Sequence, residues 1–260
     1  MIGRGSMTSP VNILVDKISK SPRIDQFCFH RSQAPLSEAL EKTRTKDVST
    51  DEIIDVVYSY SGYGLYKSIT PQQHPEEFSS LLNRVKKHEP ETIVEIGSAE
   101  GGTLFAWSRA IDSAQKIVSI DMSYPGHRKE FFQSFANNVD ANLYFLERDS
   151  TSPQTANKVT EYIGEGEIDL LFIDGDHSYE GAKADLDLYF PLVNEGGLVA
   201  FHDIVPRDGF GVPKLWSEVS NKYPSEEYID STPFNAQHIP SGKESRIQQY
   251  AGVGVIEKKQ

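Results

Sequence analysis

From residue 91 onward the hydrophobic positions fall into short apolar runs separated by longer amphipathic stretches. The runs 92–97, 116–121, 142–149, 169–174 and 197–203 each hold three or more apolar residues, and we read them as β-strands. Helical spacing fits the intervals 102–111, 128–139, 153–163 and 179–193. Near-continuous apolar strands alternating with helices predict an α/β fold, a doubly wound, mostly parallel sheet covered on both faces. The stretch 251–256 predicts one further strand.

Before residue 91 the pattern differs. Ser49, Thr50, Asp51 and Glu52 form a helix-start signal ahead of Ile53, Ile54, Val56 and Val57. Residues 58–70 contain Gly62, Gly64 and the tyrosines 58, 60, 63 and 66, and read as a loop. These rings pack on the core or offer a stacking surface to a ring substrate, and packing is the preferred reading. Pro75 followed by Phe78, Leu81, Leu82 and Val85 predicts an amphipathic helix. Residues 1 to about 50 read as a tail or arm with short helical pieces, its first six residues resembling an expression scar ahead of Met7. The expected organisation is an N-terminal tail and helical extension over 1–70 and a main domain over 71–260.

Composition narrows the partners. The 260 residues carry 26 Lys+Arg against 38 Asp+Glu, a formal charge of -12 that repels polyanions and argues against nucleic acid. The single cysteine, Cys28, excludes an intramolecular disulfide and a cysteine-cluster metal site, and reads as a small apolar residue between Phe27 and Phe29. No apolar run reaches the ~20 residues of a membrane span. The early apolar stretch 11–15 is too short for a secretory signal, so the expected location is cytoplasmic with no membrane partner.

The predicted strands end on Gly97, Asp121, Asp149, Asp174 and Asp203. Asp and Gly terminate strands as turn residues. In an open α/β sheet, however, ligands bind beyond the carboxyl ends of the strands, so five such ends aim polar groups at one crevice. The loop Gly97-Ser98-Ala99-Glu100-Gly101-Gly102 follows the first strand. A dinucleotide loop carries a second glycine where this chain has Ala99, which disfavours a pyrophosphate. Asp121, at the end of the next strand, is placed to accept hydrogen bonds from ribose hydroxyls. Together these features predict a nucleoside ligand without a pyrophosphate.

On Val94-Glu95-Ile96-Gly97, Gly101-Gly102 and Ser119-Ile120-Asp121, the chain resembles the class I S-adenosylmethionine-dependent methyltransferases over residues 72–257. That resemblance implies the Rossmann-like methyltransferase fold and S-adenosylmethionine as cofactor. It implies Asp121 on the ribose, Glu95, Gly97, Ser98 and Gly101 around the methionine part, and Asp149 with Ser150 near the adenine. The segment 172–181, containing Asp174, Asp176, His177 and Ser178, is similar to the subgroup of cephalosporin-hydroxylase-like proteins and macrolide-sugar and aminocoumarin-sugar O-methyltransferases, as is Phe201-His202-Asp203. The likeness implies a divalent metal, usually Mg2+, beside the cofactor. Asp174 then serves both cofactor and metal, Asp203 is a second ligand, and His177 is the general base. His202 stands where some relatives carry a second acid, which opens the metal to Mn2+ or another ion.

The chemistry is consistent. A sugar hydroxyl is too weak an acid to lose its proton unaided, a metal lowers its pKa, and a neutral histidine can accept the proton. Carboxylates suit Mg2+, while an imidazole ligand leans toward Mn2+, Fe2+ or Zn2+. Blander roles stand beside these: Asp176 capping a helix near Ser178, His177 and His202 as structural groups, Asp185 and Asp187 on a solvated helix face, and His30, His74, His88, His127 and His238 on the surface. Gly209 and Gly211 around Phe210 read equally as a lid or an ordinary loop. The expected function is O-methylation of a small hydroxylated molecule, a sugar or glycosylated metabolite, by an enzyme that can form a homo-oligomer. The rivals are a metal-dependent hydrolase or oxygenase built on the Asp/His cluster, and a non-catalytic protein with a vestigial nucleoside pocket.

Overall fold

A computed structural model describes residues 21–44, 48–137, 139–164, 167–230 and 251–259. The first 20 residues of the expected tail, and His238, lie outside them. The parallel strands are β1 (Thr92–Ile96), β2 (Lys116–Asp121), β3 (Asn142–Glu147), β4 (Ile168–Ile173) and β5 (Val193–His202). With β6 (Ser225–Tyr228) and β7 (Val253–Glu257) they form a seven-stranded sheet in the order β3-β2-β1-β4-β5-β7-β6. β7 runs antiparallel to both of its neighbours. The order reverses between β1 and β4, which makes the ends of these two strands the switch point where ligands bind.

The parallel strands are apolar on both faces because both faces are covered. Alternate residues Ile93, Ile117, Leu170 and Phe172 join one core cluster, and Val94, Val118, Leu171 and Ile173 join the other. The first cluster takes helices α1 (Pro22–Lys42), α2 (Thr50–Ser59), α3 (Pro75–His88), α4 (Gly102–Ala110) and α5 (Arg128–Gln133). The second takes α6 (Pro153–Ile163), α7 (Tyr179–Tyr189) and α8 (Val212–Ser220). Burial of this many large side chains, each contributing roughly 1.5–3 kcal/mol, drives the assembly. Among the described residues no helix is long and apolar enough to cross a membrane.

Several boundaries have visible causes. Ser49 and Glu52 form a reciprocal capping box at the start of α2. Proline opens α1, α3 and α6, where its missing N–H costs no helical bond. Among the described residues before 50, one 21-residue helix, α1, with Pro35 inside it, stands in place of the expected short helical pieces. The sequence there is weakly amphipathic, and packing of Leu36 and Ala39 on the core stabilises the helix. The tyrosine-rich loop holds a short 3-10 turn, Gly64–Tyr66; Tyr58, Tyr60 and Tyr66 are buried and Tyr63 is exposed. Packing is therefore the role of three of the four rings. The expected helix 128–139 is shorter: α5 ends at Gln133 and a 3-10 turn, Ser134–Ala136, follows. β6 was not expected, because Ser225–Tyr228 is a polar run that takes its structure from pairing with β7.

Candidate active site

The parallel register sets the site. Ile96 pairs with Ile120 on one side and with Ile173 on the other. The ladder continues one rung further: Gly97 N donates to Ile120 O at 2.9 Å, and Asp174 N donates to Ile96 O at 2.9 Å. Gly97, Asp121 and Asp174 therefore reach the same level at three adjacent strand ends. Gly97 has φ +89°, and a Cβ there would lie 2.0 Å from the Asp174 carbonyl oxygen, so only glycine fits.

A cleft of about 1060 Å³ opens above these ends. Of the candidates from sequence, Gly97, Ser98, Asp121, Asp149, Ser150, Asp174 and His177 line it. Glu95, Gly101, His202 and Asp203 are not among its lining residues. Glu95 is fully buried, accepts a hydrogen bond from the Thr103 hydroxyl, and burial pushes its carboxyl up to about 8. Gly101 has φ +86° and packs against the ring of Phe132, so its need for glycine is conformational and steric.

At one end of the cleft the glycine loop wraps Asp121. Its Oδ2 accepts from Ser98 N at 3.1 Å and Ala99 N at 2.9 Å, and its Oδ1 accepts from Ser123 N at 3.0 Å. The loop amides thus hold the carboxylate at the cleft wall. Ala99 adopts φ 43°, so the loop turns left-handed there without a glycine. Asp149 lies two residues beyond β3, is exposed, and accepts from Thr151 N at 2.9 Å.

At the other end, four side chains converge, of which Asp174 and His177 line the cleft. His177 Nδ1 lies 2.7 Å from Asp203 Oδ2, and His202 Nδ1 lies 3.0 Å from Asp174 Oδ1 and 3.5 Å from Asp203 Oδ2. Asp174, His177 and Asp203 each offer one ligand atom, and these atoms lie within 4.8 Å of one another. His202 is 1% exposed, between the two carboxylates. Asp203, fully buried with φ 64°, holds a strained backbone of the kind that persists at functional sites. Burial opposes its charge, but the hydrogen bond from His177 and the neighbouring cations outweigh this and hold the carboxyl below its ordinary range. The same bond raises the His177 pKa against the effect of burial.

Other residues take different places from those expected. Asp176 does not cap α7; its Oδ1 accepts from Ser178 N at 2.8 Å, and Ser178 is the cap. Asp187 is on the solvated face and pairs with Lys183, as expected. Asp185 is the correction: it is fully buried, and burial pushes its carboxyl up to about 6. His74 is also buried, as the cap of α3, and His127 pairs with Asp25 at 2.7 Å. The Phe210 ring stands 4.9 Å from the His177 ring, and Gly211 N donates to His177 O at 2.8 Å, so this loop docks on the histidine. The sequence reading passed over Gln73, whose Nε2 donates to Asp174 Oδ2 at 2.7 Å. No spacing rule signals a partner 101 residues away.

Residues 94–204, the stretch that holds the parallel strands, match the family model of a methyltransferase domain, Methyltransf_24. The chain is 29% identical over 142 residues to the uncharacterized protein y4gI of Sinorhizobium fredii, a match covering 52% of this chain and 16% of that protein. It is 23% identical over 189 residues to the rhamnosyl O-methyltransferase of Mycobacterium tuberculosis, covering 66% of this chain and 70% of that protein. The chain thus spans about a sixth of the length of the first relative. Among solved structures, the O-methyltransferase of Bacillus cereus in complex with SAH aligns with TM-score 0.52 at 15% identity, over 94% of this chain and 100% of that one. That likeness is one of fold.

Proposed function

We propose that the protein is an S-adenosylmethionine-dependent O-methyltransferase acting on a hydroxyl of a small molecule, a sugar or glycosylated metabolite, with a divalent cation beside the cofactor. The observation that carries this reading is a single cleft with two chemically different ends, an Asp121 carboxylate cradled by loop amides and a His177 imidazole backed by the buried Asp203. The first end suits a nucleoside: Asp121 Oδ1, which accepts one backbone amide, keeps a lone-pair site for a ribose hydroxyl. The methyltransferase domain and the rhamnosyl O-methyltransferase relative support the reaction class and a sugar acceptor.

S-adenosylmethionine, held at the Asp121 end, would supply an electrophilic methyl group, and in-line attack of the acceptor oxygen on that carbon would release SAH as a neutral thioether. The chain must take the hydroxyl proton. A carboxylate only accepts hydrogen bonds, so His177 donates to Asp203 through Nδ1 and keeps Nε2 as the basic nitrogen. His177 is partly exposed and lines the cleft, within reach of an acceptor hydroxyl. The donor chemistry of Asp174 and Asp203 fits a hard or borderline cation: these carboxylates would hold it, with His202 beside Asp174. Such an ion lowers the pKa of a hydroxyl bound to it. Residues 71–260 form the cofactor-binding unit of this reading and 1–70 the extension, in a cytoplasmic enzyme.

Calorimetry with S-adenosylmethionine, SAH and NAD tests the reading. Ligand at ~100 times its Kd should stabilise the fold by about 2.7 kcal/mol in a thermal melt. A shift with NAD and none with either sulfur nucleoside overturns it.

A further inference from the structure

Gln73 sits in the segment between α2 and α3, is 1% exposed, and contributes to the cleft wall. Its Nε2 donates to Asp174 Oδ2 at 2.7 Å, while Asp174 Oδ1 faces His202 Nδ1 at 3.0 Å. Both oxygens of this carboxylate are therefore engaged, which fixes its rotation. Gln73 is itself held in place. Its carbonyl accepts a 2.7 Å hydrogen bond from the hydroxyl of Tyr58, a buried residue of α2. On its N-terminal side, the Ile69 carbonyl and Pro71 sit where a Cβ on Gly102 would be, so the segment is seated against the start of α4. On its C-terminal side, α3 begins two residues later under the His74 cap.

The type of donor matters. A lysine or arginine at this position would orient Asp174 but also cancel charge that a cation needs. A neutral amide orients the carboxylate and leaves its charge for the metal. We infer that Gln73 is a positioning residue that orients Asp174 as a cation ligand, so that the N-terminal extension, through Tyr58, braces the residue that completes the candidate metal centre. This inference rests on the metal-assisted methyltransferase reading.

The test is calorimetric titration of the full chain with Mn2+ and, separately, with SAH. Gln73→Met keeps the length of the side chain and removes the donor. Its Mn2+ affinity should fall about ten- to a hundredfold, the range for a hydrogen bond to a charged group, with SAH affinity within about threefold of wild type. Tyr58→Phe frees the Gln73 backbone and should weaken Mn2+ in the same direction by a smaller factor, which keeps the test open if Gln73→Met does not fold. Wild-type Mn2+ affinity in both variants, with only a lower Tm, reduces Gln73 to a packing residue and overturns the inference. Absence of Mn2+ binding to the wild type also overturns it. The SAH titration of the same sample then tells whether the methyltransferase reading survives.

Discussion

The imidazole of His177 and the carboxylate of Asp203 meet at 2.7 Å through Nδ1 and Oδ2, although the two residues belong to loops after different strands. The contact selects the tautomer with Nε2 as base. His177→Ala should therefore lower turnover by about 10²–10⁴ while SAH still binds, since the nucleoside end of the cleft rests on β1 and β2. Steady-state kinetics beside calorimetry check this. A fully active variant returns His177 to a structural role.

Removal of divalent ions should stop turnover. EDTA-treated enzyme is expected to be inactive and to recover with Mg2+ or Mn2+, and Asp203→Ala should need more metal for less activity. Full activity in EDTA would remove the metal from the mechanism.

Asp121 carries the ribose in the proposed complex. Asp121→Ala should raise the Kd for SAH at least about tenfold, since each hydrogen bond to a charged group contributes roughly 1.5–3 kcal/mol. The variant should remain folded by circular dichroism. Unchanged affinity would leave Asp121 as a brace for the Ser98 and Ala99 amides alone.

Gly97→Ala should be far more damaging than its size suggests. The left-handed backbone alone costs roughly 1–2 kcal/mol for a residue with a Cβ, and here that atom would collide with the Asp174 carbonyl. A Tm several degrees lower and a loss of SAH binding are expected; a wild-type Tm would show that the two strand ends separate freely.

Asp185 gives a pH-dependent outcome. Its carboxyl is raised by burial from 3.8 to about 6 in the folded chain. Between these values the unfolded chain has released the proton and the folded chain still holds it, so stability from this group is full below about pH 4 and lost by pH 6. Asp185→Asn should therefore be more stable than wild type at pH 7, by on the order of 2–3 kcal/mol. The gain should vanish as the pH falls below 4. Urea unfolding from pH 4 to 8 measures it, and a gain independent of pH would show that the carboxyl is not held protonated.

Much of the fold was legible in the sequence because buried parallel strands must be apolar throughout. The runs ending near Ile96, Ile120 and Ile173 therefore announced themselves, and glycine and aspartate after them marked the ligand-binding edge. The glycine loop with Asp121 was readable for a related reason: loop and acid lie at neighbouring strand ends only 24 residues apart. Contacts between distant segments were not readable. A helical wheel leaves Asp185 exposed or buried according to which face meets the sheet, and α7 turns that face inward. The polar run of β6 is a strand because β7 offers it hydrogen bonds, and α1 is one long helix because the core accepts Leu36 and Ala39. Arg207 meets Asp203 from four residues along the chain, but the distant partners were decided by the strand order, which brings His202 and Gln73 to Asp174 and His177 to Asp203. Local pattern encodes which segments are buried, whereas side-chain partnership depends on the three-dimensional path between them.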